Sequence, residues 1–172
     1  MFFENYKTTT ENIQAFDKAK EFVSDLTSSL YIYGNPGNGK THLLVSALHE
    51  VMKTQCSYKY AYFHSSKLVK IKRDAFETQE EAQLRLVEKI SKKKFVFIDD
   101  FASEATTPET VELLCMIIND GIENRKTKFF ITGNKSISFL SKQVSDRIAS
   151  RIGGLCGKAN VVKNLAKDFR LE

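Results

Sequence analysis

Short apolar segments alternate with longer amphipathic segments along most of the 172 residues. The apolar or alternating runs are typical of β-strands, and they lie at about 29–33, 58–63, 95–98, 129–132 and 160–165. The run from Phe95 to Ile98 is continuously apolar, which is expected of a strand buried on both faces. Strands that alternate with helices predict an α/β fold with a parallel sheet.

The intervening segments predict helices, at about 11–27, 40–53, 65–73 and 77–91. Thr107 and Pro108 are typical of an N-cap and a first helical residue, so another helix is expected to begin there. Apolar residues recur at helical spacing from Ile137 to Ile152 and predict one further helix. Gly153-Gly154 can end that helix.

The turn after the first predicted strand reads Gly34-Asn35-Pro36-Gly37-Asn38-Gly39-Lys40-Thr41. It matches G-x-x-x-x-G-K-T, the phosphate-binding P-loop, in the strand–loop–helix context that this motif needs. Glycines let the loop curl with its N–H groups inward, and the following helix adds its positive end. Lys40 is expected to reach the β- and γ-phosphates, and the Thr41 hydroxyl to ligate Mg²⁺. The alternative is a chance glycine-rich turn.

Polar side chains follow the third and fourth predicted strands. Asp99 suits a Mg²⁺ site at a strand end, and Asp100 is placed to orient or deprotonate an attacking water. Asn134 offers a neutral amide to the same water or to the γ-phosphate. The alternative for each of these residues is a solvated turn, where Asp and Asn are equally common.

Arg147 and Arg151 are four residues apart, so they share one face of the last predicted helix. That face is expected to be exposed, because Ile148 and Ile152 occupy the buried one. An arginine offered to a neighbouring subunit's γ-phosphate requires head-to-tail self-association. The alternative is ordinary solvated charge.

Composition limits the remaining possibilities. Three scattered cysteines, the lack of a signal peptide and the lack of a segment near ~20 apolar residues predict a cytoplasmic protein without a membrane span. The net charge is +5, and residues 59–94, with ten basic and five acidic residues, account for an excess of that size. A local basic surface favours a polyanionic partner.

Together, these motifs resemble the AAA+ ATPases, and more narrowly the DnaC/DnaI helicase-loader branch with its IstB-like relatives. The resemblance covers nearly the whole chain and suggests a shortened, phage-type loader. The segments that carry it, besides the P-loop, are Phe3-Glu4-Asn5-Tyr6, Ile98 to Glu104, Asn124-Arg125, Phe129 to Asn134, Asp146 to Arg151 and Asp168-Phe169-Arg170.

The resemblance implies a three-layer P-loop NTPase sandwich with a five-stranded parallel sheet and no C-terminal lid domain. It divides the chain into an N-terminal extension, 1–28, and an ATPase core, 29–172, with ATP and Mg²⁺ as cofactors. It makes Asn134 the sensor 1 residue and Arg170 a cis sensor. It puts the arginine finger at Arg151, with Arg147 as the alternative. The implied nucleotide-binding residues are Asn5, Tyr6, Gly34 to Thr41, His42 and Arg170.

The function so implied is loading of a replicative ring helicase onto single-stranded DNA by an ATP-dependent oligomer. The candidate DNA contacts are Lys67, Lys70, Lys72 and Arg73. Hydrolysis is expected to be slow, because Asp100 replaces the longer Glu that is common in the family. The alternatives are an IstB-like transposition helper, a small P-loop kinase and a loader inhibitor.

Overall fold

The computed structural model of the protein describes residues 1–25, 27–55, 59–65, 78–101, 107–123 and 127–171. In this part of the chain, five parallel strands form one sheet in the order β2-β3-β4-β1-β5. The strands are β1 Leu30–Gly34, β2 Tyr60–His64, β3 Phe95–Phe101, β4 Lys128–Gly133 and β5 Val161–Asn164. This sheet and the helices around it confirm the predicted α/β P-loop NTPase fold.

Six α-helices connect or flank these strands within the described ranges. They are α1 Ile13–Asp25, α2 Lys40–Thr54, α3 Gln79–Ser91, α4 Pro108–Glu123, α5 Ile137–Gln143 and α6 Asp146–Cys156. The starts of these helices are set locally: Thr78 caps α3 through a capping box with Glu81, and Ser136 caps α5. None of the helices in the described ranges combines the length and apolar composition needed to cross a bilayer.

The core forms two layers because consecutive side chains of the central strands point to opposite faces of the sheet. Phe95 and Phe97 of β3 pack toward α1 and α2, whereas Val96 and Ile98 pack toward α3, α4 and α6. All four side chains are fully buried. A central strand with both faces covered explains the continuous apolar run that the sequence carries there.

The predicted strand positions agree with the structure to within about two residues, except that β3 continues to Phe101 instead of ending at Ile98. The helix predicted at about 65–73 falls mainly on 66–77, outside the described residues. The two acidic residues predicted to follow β3 therefore lie inside the strand, near its carboxyl end.

The prediction of a single helix from 137 to 152 is wrong, because the helix is interrupted between α5 and α6. Ser145 leaves the helical conformation, with φ −168°, and serves as the N-cap residue of α6. The N–H groups of Val144 and Ser145 both bond to the Leu140 carbonyl, which closes α5. Apolar spacing alone could not reveal the break, because the buried residues Leu140, Ile148 and Ile152 keep a helical spacing across it.

The prediction that Gly153 and Gly154 end the last helix is wrong, because both residues lie inside α6. The helix ends at Cys156, and Gly157 follows it with φ +67°. Glycine adopts a positive φ without a steric penalty, which allows the chain to leave the helix at this residue. The wrong glycines were assigned because the sequence does not show which of them takes a positive φ.

The same substitution at two helical glycines is expected to change stability in opposite directions. A Cβ on Gly154 meets nothing within 4 Å, so Gly154→Ala should stabilise the protein by about 0.5–1 kcal/mol. A Cβ on Gly121 of α4 would lie 2.5 Å from Cζ of the buried Phe129, so Gly121→Ala should destabilise it by about 1–3 kcal/mol. Urea denaturation measures both, and a stabilised Gly121→Ala or a destabilised Gly154→Ala would contradict this packing.

Candidate functional site

The loop between β1 and α2 has the curled backbone that the sequence predicts. Gly37 and Gly39 have φ angles of +73° and +89°, which disfavour any residue with a side chain. A Cβ on Gly37 would overlap the Asp168 carboxylate, and one on Gly39 would lie 2.8 Å from the Tyr6 ring. Two separate constraints therefore favour glycine at both positions. One is the positive φ of the turn, and the other is the lack of space for a Cβ beside Asp168 and Tyr6.

The Lys40 side chain is buried beneath this loop. Its Nζ atom donates hydrogen bonds to the carbonyls of Gly34, at 2.9 Å, and Asn35, at 2.6 Å, and to Oδ1 of Asn38, at 3.0 Å. Burial lowers the pKa of the Lys40 ammonium to about 8, and the nearby Asp100 carboxylate acts in the opposite direction. Added negative charge near the loop would therefore stabilise the protonated form of Lys40.

Asn164, the last residue of β5, braces the loop from the opposite side. Its Nδ2 donates to the Asn38 carbonyl at 2.9 Å, while Asn38 Nδ2 donates to the Asn164 carbonyl, also at 2.9 Å. Asn164 Nδ2 also lies 3.3 Å from the Tyr6 hydroxyl. Sequence reasoning missed this residue, although its position at a strand end, like that of Asn134, was a usable signal.

The Asp99 carboxylate connects the P-loop helix to two strands. Its Oδ1 accepts hydrogen bonds from Thr41 Oγ1, at 3.0 Å, and from Thr132 Oγ1 of β4, at 2.6 Å. Asp99 is buried, so two hydroxyl donors offset part of the cost of desolvating its charge. Thr132 thus belongs to the site, a role that sequence reasoning did not assign to it.

Asp100 points to a different set of partners because its backbone is left-handed, with φ 55°. Asn134 Nδ2 donates to its Oδ1 at 3.1 Å, and His64 Nε2 of β2 lies 3.6 Å from its Oδ2. A non-glycine residue in this conformation costs of order 1 kcal/mol or more, and such strain often occurs at functional sites. Sequence reasoning did not assign His64 to the site, but the pairing of β2 with β3 brings it there.

The N-terminal segment covers one side of the loop. Tyr6 is buried, with its ring stacked on Phe16 at 5.6 Å and edge-on to His42 at 5.3 Å. The His42 Nε2 atom lies 2.9 Å from the Phe2 carbonyl, and Asn5 is exposed beside Tyr6. The structure therefore brings these predicted residues to the rim of the loop.

The predicted arginines differ in their contacts with the loop. Arg170 forms a bidentate ion pair with Asp168, both contacts being 3.0 Å, and Asp168 itself packs against Gly37. This pairing lowers the pKa of the Asp168 carboxyl. Arg151 is exposed on α6, as Arg147 is, and neither has a described contact with the loop. The candidate DNA contacts, Lys67, Lys70, Lys72 and Arg73, lie outside the described residues.

Comparison with known proteins identifies related chains. The profile of one family, the bacterial DnaA ATPase domain, matches residues 1–157. The chromosomal replication initiator protein DnaA of Mycoplasma capricolum is 28% identical over 142 residues, which are 81% of this chain and 31% of DnaA. The chain therefore spans about a third of the length of this curated relative.

Solved structures share the fold. A replication initiator DnaA bound to AMPPCP and single-stranded DNA is 22% identical with a TM-score of 0.75, and the match covers 96% of this chain and 50% of that chain. The DnaC helicase loader is 20% identical with a TM-score of 0.73, and 96% of each chain is covered. At these identities the likeness establishes the fold alone.

Binding of a nucleoside triphosphate is expected to take up a proton above pH 8. The free protein holds Lys40 with a pKa of about 8, and added phosphate charge should raise that pKa toward its ordinary 10.5. Apparent affinity should therefore fall as pH rises through 8. Calorimetry with AMPPCP in two buffers of different ionisation enthalpy, at pH 7 and 8.5, measures the uptake.

Lys40→Arg is the matched control, because its guanidinium stays charged throughout this range and should bind without proton uptake. Equal AMPPCP affinity for the wild-type protein from pH 7 to 9.5, with no buffer dependence of the heat, would contradict the assignment of Lys40.

Proposed function

Because the chain belongs to the family of bacterial DnaA ATPase domains, we propose that it binds ATP with Mg²⁺ and hydrolyses it slowly. The observation that carries this proposal is the 3.0 Å contact between Thr41 and Asp99, beside the buried Lys40. A hydroxyl at the start of the P-loop helix and a carboxylate from the neighbouring layer meet where the β- and γ-phosphates would lie.

Thr41 Oγ1 and Asp99 Oδ1 fit a magnesium site, because Mg²⁺ prefers oxygen ligands and usually combines one or two carboxylates with phosphates and water. When bound, Mg²⁺ would neutralise charge on the phosphate oxygens. Thr132 would hold the Asp99 carboxylate in place through its 2.6 Å hydrogen bond. Lys40 would exchange its loop carbonyls for phosphate oxygens.

Asp100 would orient the attacking water and accept its proton. Both of its carboxylate oxygens have neighbours, Asn134 at 3.1 Å and His64 at 3.6 Å, with which a water would have to compete. Asp is also one methylene shorter than Glu, so its carboxylate reaches less far toward the γ-phosphate. Both features support slow turnover, and we propose that a partner accelerates it.

Arg151 would complete the site from a neighbouring subunit. It is exposed, and an arginine added to the γ-phosphate in trans is worth ~10³–10⁵ in rate. Arg170, held by Asp168 beside Gly37, would contact the nucleotide within the same subunit. ATP would then drive head-to-tail self-association, since one subunit supplies the P-loop and the next supplies Arg151.

We further propose that the assembly helps to load a replicative ring helicase onto single-stranded DNA, in the cytoplasm of a bacterial or phage-infected cell. The motif order that resembles the DnaC/DnaI branch supports this role. The candidate DNA contacts remain Lys67, Lys70, Lys72 and Arg73, whose charge would make binding strongly salt-dependent.

Residues 1–28 would act as the extension on the adenine side and as a partner contact, with 29–172 as the ATPase core. The turn at Phe3–Asn5 and helix α1 pack on α2, which carries the P-loop lysine. Phe2 and Ile13 remain 45% and 42% exposed, which leaves apolar surface for a partner next to the nucleotide.

A reconstituted loading reaction tests this proposal. The replicative helicase of the same cell is incubated with a single-stranded DNA circle, ATP and wild-type protein, Arg151→Ala or Arg147→Ala. The wild-type protein should increase helicase loading, and Arg151→Ala should lose both loading and about 10³-fold of the stimulated ATP turnover. Arg147→Ala, on the same exposed face, should retain both.

Asp100→Asn separates binding from hydrolysis in the same assay, because it keeps the side-chain size but removes the base. It should bind ATP at near wild-type affinity and hydrolyse it at least about 10²-fold more slowly. Equal loading with and without the protein would contradict the helicase proposal. Turnover by the isolated protein above about 10 per second would contradict slow hydrolysis.

A further inference from the structure

A groove of about 1030 Å³ lies at the amino-terminal end of the sheet, opposite to the P-loop. Its walls are the second half of α3 and the residues that lead into β2 and β3. Leu84 of α3, which is 52% exposed, supplies the apolar surface of the groove, whereas Val87, also in its lining, is only 8% exposed. Ligand sites are concave and combine apolar surface with a few polar groups, and this groove has both features.

Basic side chains dominate the remaining lining. Five basic and two acidic residues line the groove: Lys59, Arg85, Lys92, Lys93 and Lys94, with Glu88 and Asp120. Glu88 pairs with Lys92 at 2.6 Å. The groove therefore combines apolar surface with an excess of positive charge.

The register of the sheet concentrates this charge. The Lys94 N–H bonds to the Lys59 carbonyl at 2.7 Å, and the Lys128 N–H bonds to the Lys94 carbonyl at 2.8 Å. Three neighbouring parallel strands thus have a lysine at or just before their first residue. Parallel pairing places these lysines side by side at the amino-terminal end of the sheet, so the positive surface results from the fold.

We infer that this groove binds an acidic amphipathic segment of a protein partner. The apolar face of such a segment would pack on Leu84, and its carboxylates would face the lysines. The groove is at the opposite end of the sheet from Lys40 and Asp99, so its occupancy does not depend on the proposed ATP chemistry.

Two observations favour this occupant over others. No aromatic side chain is among the described residues that line the groove, whereas single-stranded nucleic acid sites usually stack bases on aromatic rings. The segment that precedes α3 in sequence, residues 66–77, carries four basic and two acidic residues, so its charge does not complement the groove.

A synthetic peptide tests the inference. The probe is a fluorescein-labelled peptide of leucine and glutamate with leucines at helical spacing on one face, and the control peptide has the same composition in scrambled order. Wild-type protein should bind the amphipathic peptide more tightly than the scrambled one, and added salt should weaken binding. Leu84→Asp should weaken binding at least about tenfold.

Leu165→Asp is the matched control, because Leu165 is 56% exposed and follows β5 at the other edge of the sheet. It should bind the peptide like the wild-type protein. The double variant Lys59→Glu/Lys94→Glu should lose binding through charge alone. AMPPCP binding should stay unchanged in all variants, which shows that they are folded and keeps this test independent of the ATP site.

Two outcomes would overturn the inference. One is equal peptide affinity for wild-type and Leu84→Asp proteins, or for the amphipathic and scrambled peptides. The other is displacement of the peptide by a single-stranded oligonucleotide whose own binding is lost in Leu84→Asp, which would assign the groove to nucleic acid.

Discussion

The site depends on the hydrogen bonds that the buried Asp99 carboxylate accepts. This carboxylate accepts hydrogen bonds from Thr41 at the start of α2 and from Thr132 on β4, and so ties together three elements that are distant in sequence. A buried charge is tolerated only when it is paired or well hydrogen-bonded. Loss of either hydroxyl would therefore leave an expensive charge between the P-loop helix and the sheet.

The same point determines how the rest of the site is arranged. With Asp99 fixed inward by Thr132, the next residue turns outward in a left-handed conformation, and the two adjacent carboxylates face different partners. Asn164 and Tyr6 hold the opposite side of the loop. The backbone that would surround a triphosphate is therefore organised by the protein itself, which lowers the cost of ordering it on binding.

Local chemistry explains why so much could be predicted from the sequence. The P-loop spacing, the apolar run of β3 and the polar residues at strand ends are short-range signals, and the structure brings Lys40, Thr41, Asp99 and Asn134 together as they indicated. Roles created by pairing between strands were harder to predict. His64 meets Asp100 only because β2 pairs with β3 in one particular register. The break before α6 was missed because a continuous apolar stripe is compatible with one helix or two.

The family match and the sequence resemblance describe the chain at two levels. The profile match establishes a bacterial DnaA ATPase domain, while the resemblance to DnaC/DnaI loaders underlies the helicase proposal. The proposed chemistry of the P-loop and Asp99 is the same in both cases, so it does not depend on the choice of partner.

The most direct test is a crystal structure of the protein with AMPPCP and Mg²⁺. The expected result is a triphosphate wrapped by residues 34–41, with Mg²⁺ about 2.0–2.1 Å from Thr41 Oγ1 and the Asp99 carboxylate bound to it directly or through one water. A nucleotide bound elsewhere, or a metal ion remote from Thr41 and Asp99, would contradict this assignment of the nucleotide and metal site.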